Sequence, residues 1–477
     1  MEAEVLVLLG KGPMESRDDR DDSRSHAVAF GIPKRIHSNP VSQSTPSQPT
    51  PAGGARGPVR ALSHPPGLYV LFFTELGERY SFYSMMAILT LYMDESLHFS
   101  PGVIGQVYGG YVAAVFFMPL IGGVLADRRL GFYRAVVAGA VLIGIGQLVL
   151  AVGTLSTFFA GLVLLACGTG LLKPNISTIV GGLYTDRPHL RDAGFNIFYM
   201  GINTGSFIAP IVVSYLRHAY GWRIAFASAA GGIVVALAVF VGFRRHLGSV
   251  GKTSGVGPES RDGGANDSRA RVIALLAVFA IIVAFWVAFY QNGFTLTLWA
   301  RDNTATRVAP EAFQSVNPLG IILFSPLLVA AWAALRRRGA EPTTLGKMLV
   351  GMAFTIATFA VMALAGLAGG DSGRVSAGWL VGAYLLIAMA EICLSPMGLS
   401  LVTRIAPARH RGTLMGAWFV ATALGGYLAG FLGTFWYRVP HSRFFLLVAG
   451  VAAAAAAVLV VARPRLQAVF AAVDRDA

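Results

Sequence analysis

Residues 68–93 read LYVLFFTELGERYSFYSMMAILTLYM. A run of about 20 predominantly apolar residues crosses a hydrocarbon core of ~30 Å as a helix, and this run has that length. Its middle, however, holds Glu75, Glu78 and Arg79. A charge at the centre of a membrane helix costs about 2.5–3.5 kcal/mol on insertion scales. A chain that keeps three such charges in one segment must turn them away from lipid and pair them.

The rest of the chain supplies the membrane that this reading needs. Of 477 residues, 55% are hydrophobic and 13% charged, with mean hydropathy +0.61; a soluble domain carries about 25% charged residues. From Leu68 onward twelve candidate spans follow, at 68–93, 102–126, 132–153, 157–184, 193–216, 222–243, 271–300, 311–335, 345–368, 376–403, 411–436 and 443–462. Between the sixth and seventh lies RRHLGSVGKTSGVGPESRDGGANDSRAR, polar and Gly-rich, which divides the spans six and six. The expectation is an all-α polytopic membrane protein of twelve transmembrane helices in two six-helix bundles, 67–244 and 271–463. A cytoplasmic linker at 245–270 joins them. Residues 1–66, with SRDDRDDSRS and NPVSQSTPSQPTPAGGARGP, contain too little apolar material to fold alone and read as a disordered cytoplasmic tail. Residues 464–477 read as a second cytoplasmic tail.

The net charge of +14 does not describe a nucleic-acid groove, because the basic residues sit in short connections. With the N-terminus inside, the even-numbered connections and the C-terminal tail carry 21 Lys and Arg, against 7 in the opposite loops. The positive-inside rule then puts both termini in the cytoplasm, and the expected location is the plasma (inner) membrane. Cys167 and Cys393 sit singly in apolar runs and suggest neither metal nor disulfide. No HExxH or GxSxG string is present, so neither an enzyme nor a sensor is the favoured class.

Once loops and tails are set aside, the ionisable residues inside spans are Glu75, Glu78, Arg79, Lys173 and Glu391. Glu75 and Arg79 share a helix face at i,i+4, with the acid first. Glu78 leaves the helix about 100° from Arg79, and Lys173 can supply the positive charge that two acids and one base leave unmatched. An acid near neutralisation beside a displaceable cation suits proton coupling; the alternative is an ion network that only pins helices together. Glu391, in the tenth span, is either a protonated structural acid or the partner of a substrate amine. A cavity between the halves would thus be positive on one wall and negative on the other, which suits a zwitterion such as a short peptide.

These residues lie in strings that resemble the proton-dependent oligopeptide transporter family, a branch of the major facilitator superfamily. The strings are ELGERYSFY at 75–83, GGVLADRRLG at 122–131, LLKPN at 171–175, FYMGINTG at 198–205 and EICLSPMG at 391–398, in family order. The resemblance implies a major-facilitator-type fold and import of di- or tripeptides driven by the proton gradient, without a cofactor or metal and as a monomer. It implies that Arg79 and Lys173 face the peptide carboxylate and that Glu391, helped by Asn317, takes the amino group. Tyr83, Tyr199, Asn203 and Ser395 become polar cavity positions, and Trp286 and Trp418 line side-chain pockets. Glu75, Glu78 and Lys173 become the proton-linked set, and Asp127 with Arg128 a gate latch.

The sequence departs from the family pattern at several places. In FWVAFYQNG, residues 285–293, Tyr290 fills a position where many members carry an acid, and Phe116 fills that of a second-helix tyrosine. In the first-helix string Tyr80 stands for Phe and Phe82 for the first Tyr. A tyrosine, with an ordinary pKa near 10, does not cycle a proton at neutral pH. Coupling then rests on Glu75, Glu78 or Glu391, and Tyr290 is counted with the substrate-binding residues. A second expectation, therefore, is transport of another peptide-like or small organic solute with altered coupling.

Overall fold

Pro66 opens the first helix at a position where its missing N–H costs nothing, and α1 then runs Pro66–Glu95. The other helices are α2 (Pro101–Leu125), α3 (Phe132–Val152), α4 (Leu155–Gly182), α5 (Arg191–Tyr220), α6 (Trp222–Gly242), α7 (Ala265–Phe289), α8 (Thr295–Asp302), α9 (Val316–Arg337), α10 (Thr344–Ala368), α11 (Ala377–Ile405), α12 (Arg411–Gly433) and α13 (His441–Asp476). The computed structural model describes residues 64–187, 190–248, 265–407 and 410–476. The expected tail lies outside the described residues as far as 63, as does most of the expected linker, at 249–264.

Twelve helices of spanning length are present among the described residues, with α8 as a short continuation of α7. Eleven are long and apolar enough to cross a membrane; the twelfth is α1, whose apolar character is diluted by Glu75, Glu78 and Arg79. The chain turns where glycine supplies left-handed backbone, as at Gly153 (φ 82°) after α3 and Gly221 (φ 83°) between α5 and α6. Thr154 caps α4 reciprocally with Thr157.

Two features differ from the sequence expectation. The seventh span is not one helix: it breaks at Tyr290–Gly293 and resumes as α8. Run length and apolarity carry no mark of such a break, which follows from Gly293 and from long-range hydrogen bonds described below. The expected tail at 464–477 continues α13 as helix to Asp476, and Leu466 and Phe470, four apart, are both buried.

Within α1–α6, α1 packs on α5 and α6, and α3 on α4 and α6. Within α7–α13, α10 packs on α11 and α13, and α12 on α7. The halves meet chiefly through α2 against α12, and α5 against α9 and the turn before it. Close approach needs small residues: a Cβ at Gly430 of α12 would lie 2.2 Å from the Gly105 carbonyl oxygen of α2. The α5 meetings and the Gly105–Gly430 approach lie at the end of the molecule where α1 finishes and α2 begins, while α2 follows α12 on to the other end, where a Cβ on Gly416 would lie 2.6 Å from Leu120. At the opposite end, neither α4 nor α5 makes an extended contact with α11 or α12 among the described residues.

Candidate functional site

The rotation of α1 is fixed by backbone contact on its flanks. A Cβ on Gly205 of α5 would lie 2.5 Å from the Leu76 carbonyl oxygen, and one on Gly77 would lie 2.7 Å from that of Gly232 in α6. With these flanks occupied, Glu75, Glu78 and Arg79 are all buried. Arg79 forks onto the Glu78 carboxylate, with Nη2 donating to Oε1 at 2.6 Å and Nε donating to Oε2. Its Nε also lies 3.4 Å from Glu75 Oε1. The two side chains leave the helix in different directions, as expected, but both are long enough to curl back, so the tighter pair is with the adjacent Glu78. Glu75 Oε2 is buried with no hydrogen-bond partner. One guanidinium thus serves two carboxylates, and the trio is neutral only when one acid carries a proton. A bare carboxylate oxygen in a dry site is costly, which makes Glu75 the side chain best placed to hold it.

Lys173, beside Pro174 in α4, does not complete the trio by direct pairing. It makes no ion pair among the described residues, although its charge is within electrostatic reach of Glu75, Glu78 and Arg79. Its Nζ stands 4.6 Å from the centre of the Phe116 ring. Phe116 in turn meets Tyr290 at 5.8 Å, and Tyr290 stacks on Trp286 at 5.7 Å with rings 26° apart. Tyr290 and Trp286 are both buried, and the indole Nε1 of Trp286 is without a partner. Tyr290, where the resemblance implied an acid in other members, therefore belongs to an aromatic stack that ends in a cation–π contact. Tyr290 is packing in this stack, and its backbone oxygen accepts from the Tyr108 hydroxyl at 3.1 Å.

On the other half, Asn317 of α9 donates from Nδ2 to Glu391 Oε2 of α11 at 3.4 Å, which brings together the two residues expected to receive an amine. Tyr83 lies within electrostatic reach of both Arg79 and Glu391, and Tyr199 within reach of Glu391 and Tyr83. These tyrosines span the space between the two charged walls. Tyr199 is 41% exposed. Asn203 is buried and bonds back to the Tyr199 carbonyl at 3.0 Å. Ser395 is half-buried on α11. Trp418 is buried against Phe279 and over Gly398, where a Cβ would lie 1.9 Å from the indole, so it fills the gap between α12, α7 and α11. Asp127 and Arg128 are exposed in the wide turn Ala126–Leu130 that ends α2, far along the chain from this cavity.

The sequence did not reveal what closes the far end. Glu311, in the turn before α9, is fully buried, and Arg217 Nη1 at the end of α5 donates to its Oε1 at 3.0 Å. Arg217 also pairs with Glu95 at the end of α1, and its guanidinium covers the Trp222 ring at 4.2 Å. Arg301 of α8 pairs with Asp94 of α1. Neutral bonds join the same halves: Thr90 Oγ1 donates to the Gly293 carbonyl at 2.7 Å, and Ser315 Oγ to that of Phe207 at 2.7 Å. Arg217 and Arg301 had counted only as loop charges. The available signal was opposite charge on one side of the membrane, Asp94, Glu95 and Glu311 against Arg217 and Arg301.

A model of the POT family matches residues 133–259 and 264–453. The chain is 35% identical over 451 residues to the peptide transporter YePEPT of Yersinia enterocolitica, covering 78% of this chain and 88% of that protein. It is 31% identical over 435 residues to a di-/tripeptide transporter of Lactococcus lactis, covering 76% and 87%. Among solved structures, a variant of the peptide transporter POT in complex with alafosfalin superposes with a TM-score of 0.79 at 32% identity, covering 86% of this chain and 96% of that one.

Proposed function

The chain belongs to the POT family, and on that premise we propose that it is a secondary transporter importing di- and tripeptides with protons by alternating access. It is an integral membrane protein of the major-facilitator type. The observation that carries the reading is the placing of these charges on the two halves. Arg79 and Lys173 stand on one half, Glu391 with Asn317 on the other, and Tyr83 lies within reach of both. A free peptide, with its carboxylate and ammonium a few bonds apart, matches that separation.

Glu75 takes up the proton, because its unpartnered oxygen and its shared claim on Arg79 make it the acid whose charge the site satisfies least. Protonation frees Arg79 for Glu78 and for the peptide carboxylate. Lys173, held over Phe116 rather than by an acid, remains available to the same carboxylate. The outer end is latched by Arg217–Glu311 and Arg301–Asp94 while the end lined by α4, α5, α11 and α12 is unsealed, so this conformation faces the cytoplasm under a topology with both termini inside. Asp127 and Arg128 act at that open end as its latch. The protein works as a monomeric carrier rather than an enzyme, with the proton gradient as its only drive. The stack of Trp286, Tyr290 and Phe116 supports a preference for apolar or aromatic side chains, and supports a wider range of amine–carboxylate solutes as the second reading.

Binding by thermal shift to a free dipeptide, its N-acetyl form and its C-amide form tests the assignment. Wild type is expected to bind only the free peptide, Glu391→Gln to lose its discrimination against the N-acetyl form, and Arg79→Lys its discrimination against the amide. Equal binding of both blocked peptides to wild type would refute it.

A further inference from the structure

Where α2 hands over to α3, and where α6 ends, five arginines surround one depression. Arg128 and Arg129 lie in the turn Ala126–Leu130, Arg134 in the first turn of α3, and Arg244 and Arg245 in the turn Arg244–Leu247 after α6. They line a cavity of about 770 Å³, in which Asp127 is the lone acid. All five side chains are exposed, and none forms an ion pair among the described residues. With five bases and one acid around it, the depression carries a positive potential that favours an anion seated in it.

The depression is built rather than incidental. Tyr133 of its lining stacks on Phe240 of α6 at 5.0 Å and 20°, fixing α3 to α6 beneath the arginines. The second turn is clamped by buried Leu247 and by α1, where a Cβ on Gly67 would lie 2.6 Å from the His246 carbonyl oxygen. Gly131, with φ 73°, sets the sharp entry into α3. On the membrane side of the arginines, within two turns along the same helices, Ile121, Val124, Val241 and Phe243 are exposed apolar residues. A free phosphate has no use for that apolar rim, whereas an acyl chain does. Basic pockets at helix ends on a membrane boundary bind anionic headgroups.

We propose that this cavity is a binding site for an anionic phospholipid headgroup, its phosphate ester held by Arg134, Arg244 and Arg245 and its acyl chains lying along the ends of α2 and α6. The site is separate from the transport cavity, and its test does not read transport.

The full-length protein, purified in an uncharged detergent, is mixed with phosphatidylglycerol or phosphatidylcholine and examined by native mass spectrometry. Wild type is expected to retain phosphatidylglycerol over phosphatidylcholine by at least about tenfold. The triple variant Arg134→Gln, Arg244→Gln, Arg245→Gln is expected to lose that preference to within about twofold. The corresponding Lys triple, which keeps the charge, retains most of it. Arg245→Gln alone, which leaves four arginines in place, gives an intermediate preference and serves if the triple does not fold. Millimolar inorganic phosphate leaves the lipid bound. Equal retention of the two lipids by wild type, or an unchanged preference in the Gln variants, overturns the proposal. Displacement of the lipid by inorganic phosphate overturns it too, and assigns the arginines to a free phosphate.

Discussion

Glu311→Gln perturbs the outer closure at its most buried point. Glu311 is fully buried, accepts from Arg217 Nη1 at 3.0 Å, and leaves its second oxygen without a partner. A hydrogen bond to a charged group contributes about 1.5–3 kcal/mol and a neutral one about 0.5–1.5. The substitution keeps a charge-assisted bond from Arg217 but removes the ion-pair attraction. For unit charges about 4 Å apart that attraction runs from about 1 kcal/mol in water to about 4 at an effective dielectric of about 20. With Glu95 still on the guanidinium, the loss is about 1–2 kcal/mol. Its new amide N–H also enters a place with no acceptor, which adds to the cost. Arg217 belongs to one half and Glu311 to the other, so the bond exists only while the outer ends touch, and the loss falls on that conformation alone. The closed-to-open ratio of the outer end should drop about 5- to 30-fold. Spin labels at Tyr215→Cys and Val308→Cys, both exposed and flanking the pair, read this ratio by electron–electron distance measurement once Cys167 and Cys393 are replaced. A long-distance population should grow in Glu311→Gln and grow further in Arg217→Gln, which also loses Glu95. Unchanged distance distributions in both variants would refute the latch.

Three further outcomes follow from the same geometry. No hydrogen bond of the Tyr290 hydroxyl is present among the described residues, while its ring is sandwiched by Phe116 and Trp286. Tyr290→Phe should therefore transport within about twofold of wild type, whereas Tyr290→Ala should lose about 3–5 kcal/mol of stability in a melting assay. Gly430→Val places side-chain atoms where the Gly105 carbonyl and Gly109 Cα already stand, at 2.2 and 2.6 Å from the new Cβ. It should abolish uptake and hold the outer end open in the distance measurement, while Gly231→Val, with open space around it, should not. In the loop between α9 and α10, hydrogen bonds from Arg336 and then Lys347 hold the Glu341 carboxyl down from 4.5 to about 2. A depressed acid stabilises the fold above its ordinary value and loses that contribution as pH falls. The melting difference between wild type and Glu341→Gln should accordingly be present at pH 5 and fade between pH 4.5 and about 2.

The spans were legible because lipid demands long apolar runs, and the charged trio was legible because lipid forbids it. The i,i+4 spacing of Glu75 and Arg79 placed both at one site, but the tighter embrace of Glu78 depends on side-chain reach, which spacing does not convey. Lys173 was expected to supply the trio's missing positive charge, but its seat over Phe116 required the fold, because the two residues lie on different helices. The break at Tyr290–Gly293 left no trace in hydropathy, since Gln291 and Asn292 are tolerated there through bonds to distant partners: Gln291 Nε2 donates to the Ala429 carbonyl, and the Tyr384 hydroxyl to that of Asn292. Helical Leu466 and Phe470 were hidden by the Arg and Pro around them. The outer ion pairs were hidden for a related reason, because topology counting treats loop charges as independent of one another.

Gradient-driven dipeptide uptake into proteoliposomes tests the central claim most directly. Wild type should accumulate a dipeptide when the side facing the substrate is made acidic, and accumulation should stop when the gradient is collapsed. Glu75→Gln should retain counterflow exchange of peptide but lose gradient-driven accumulation. No gradient-stimulated uptake of any member of a dipeptide library by wild type, or undiminished accumulation by Glu75→Gln, would contradict the account.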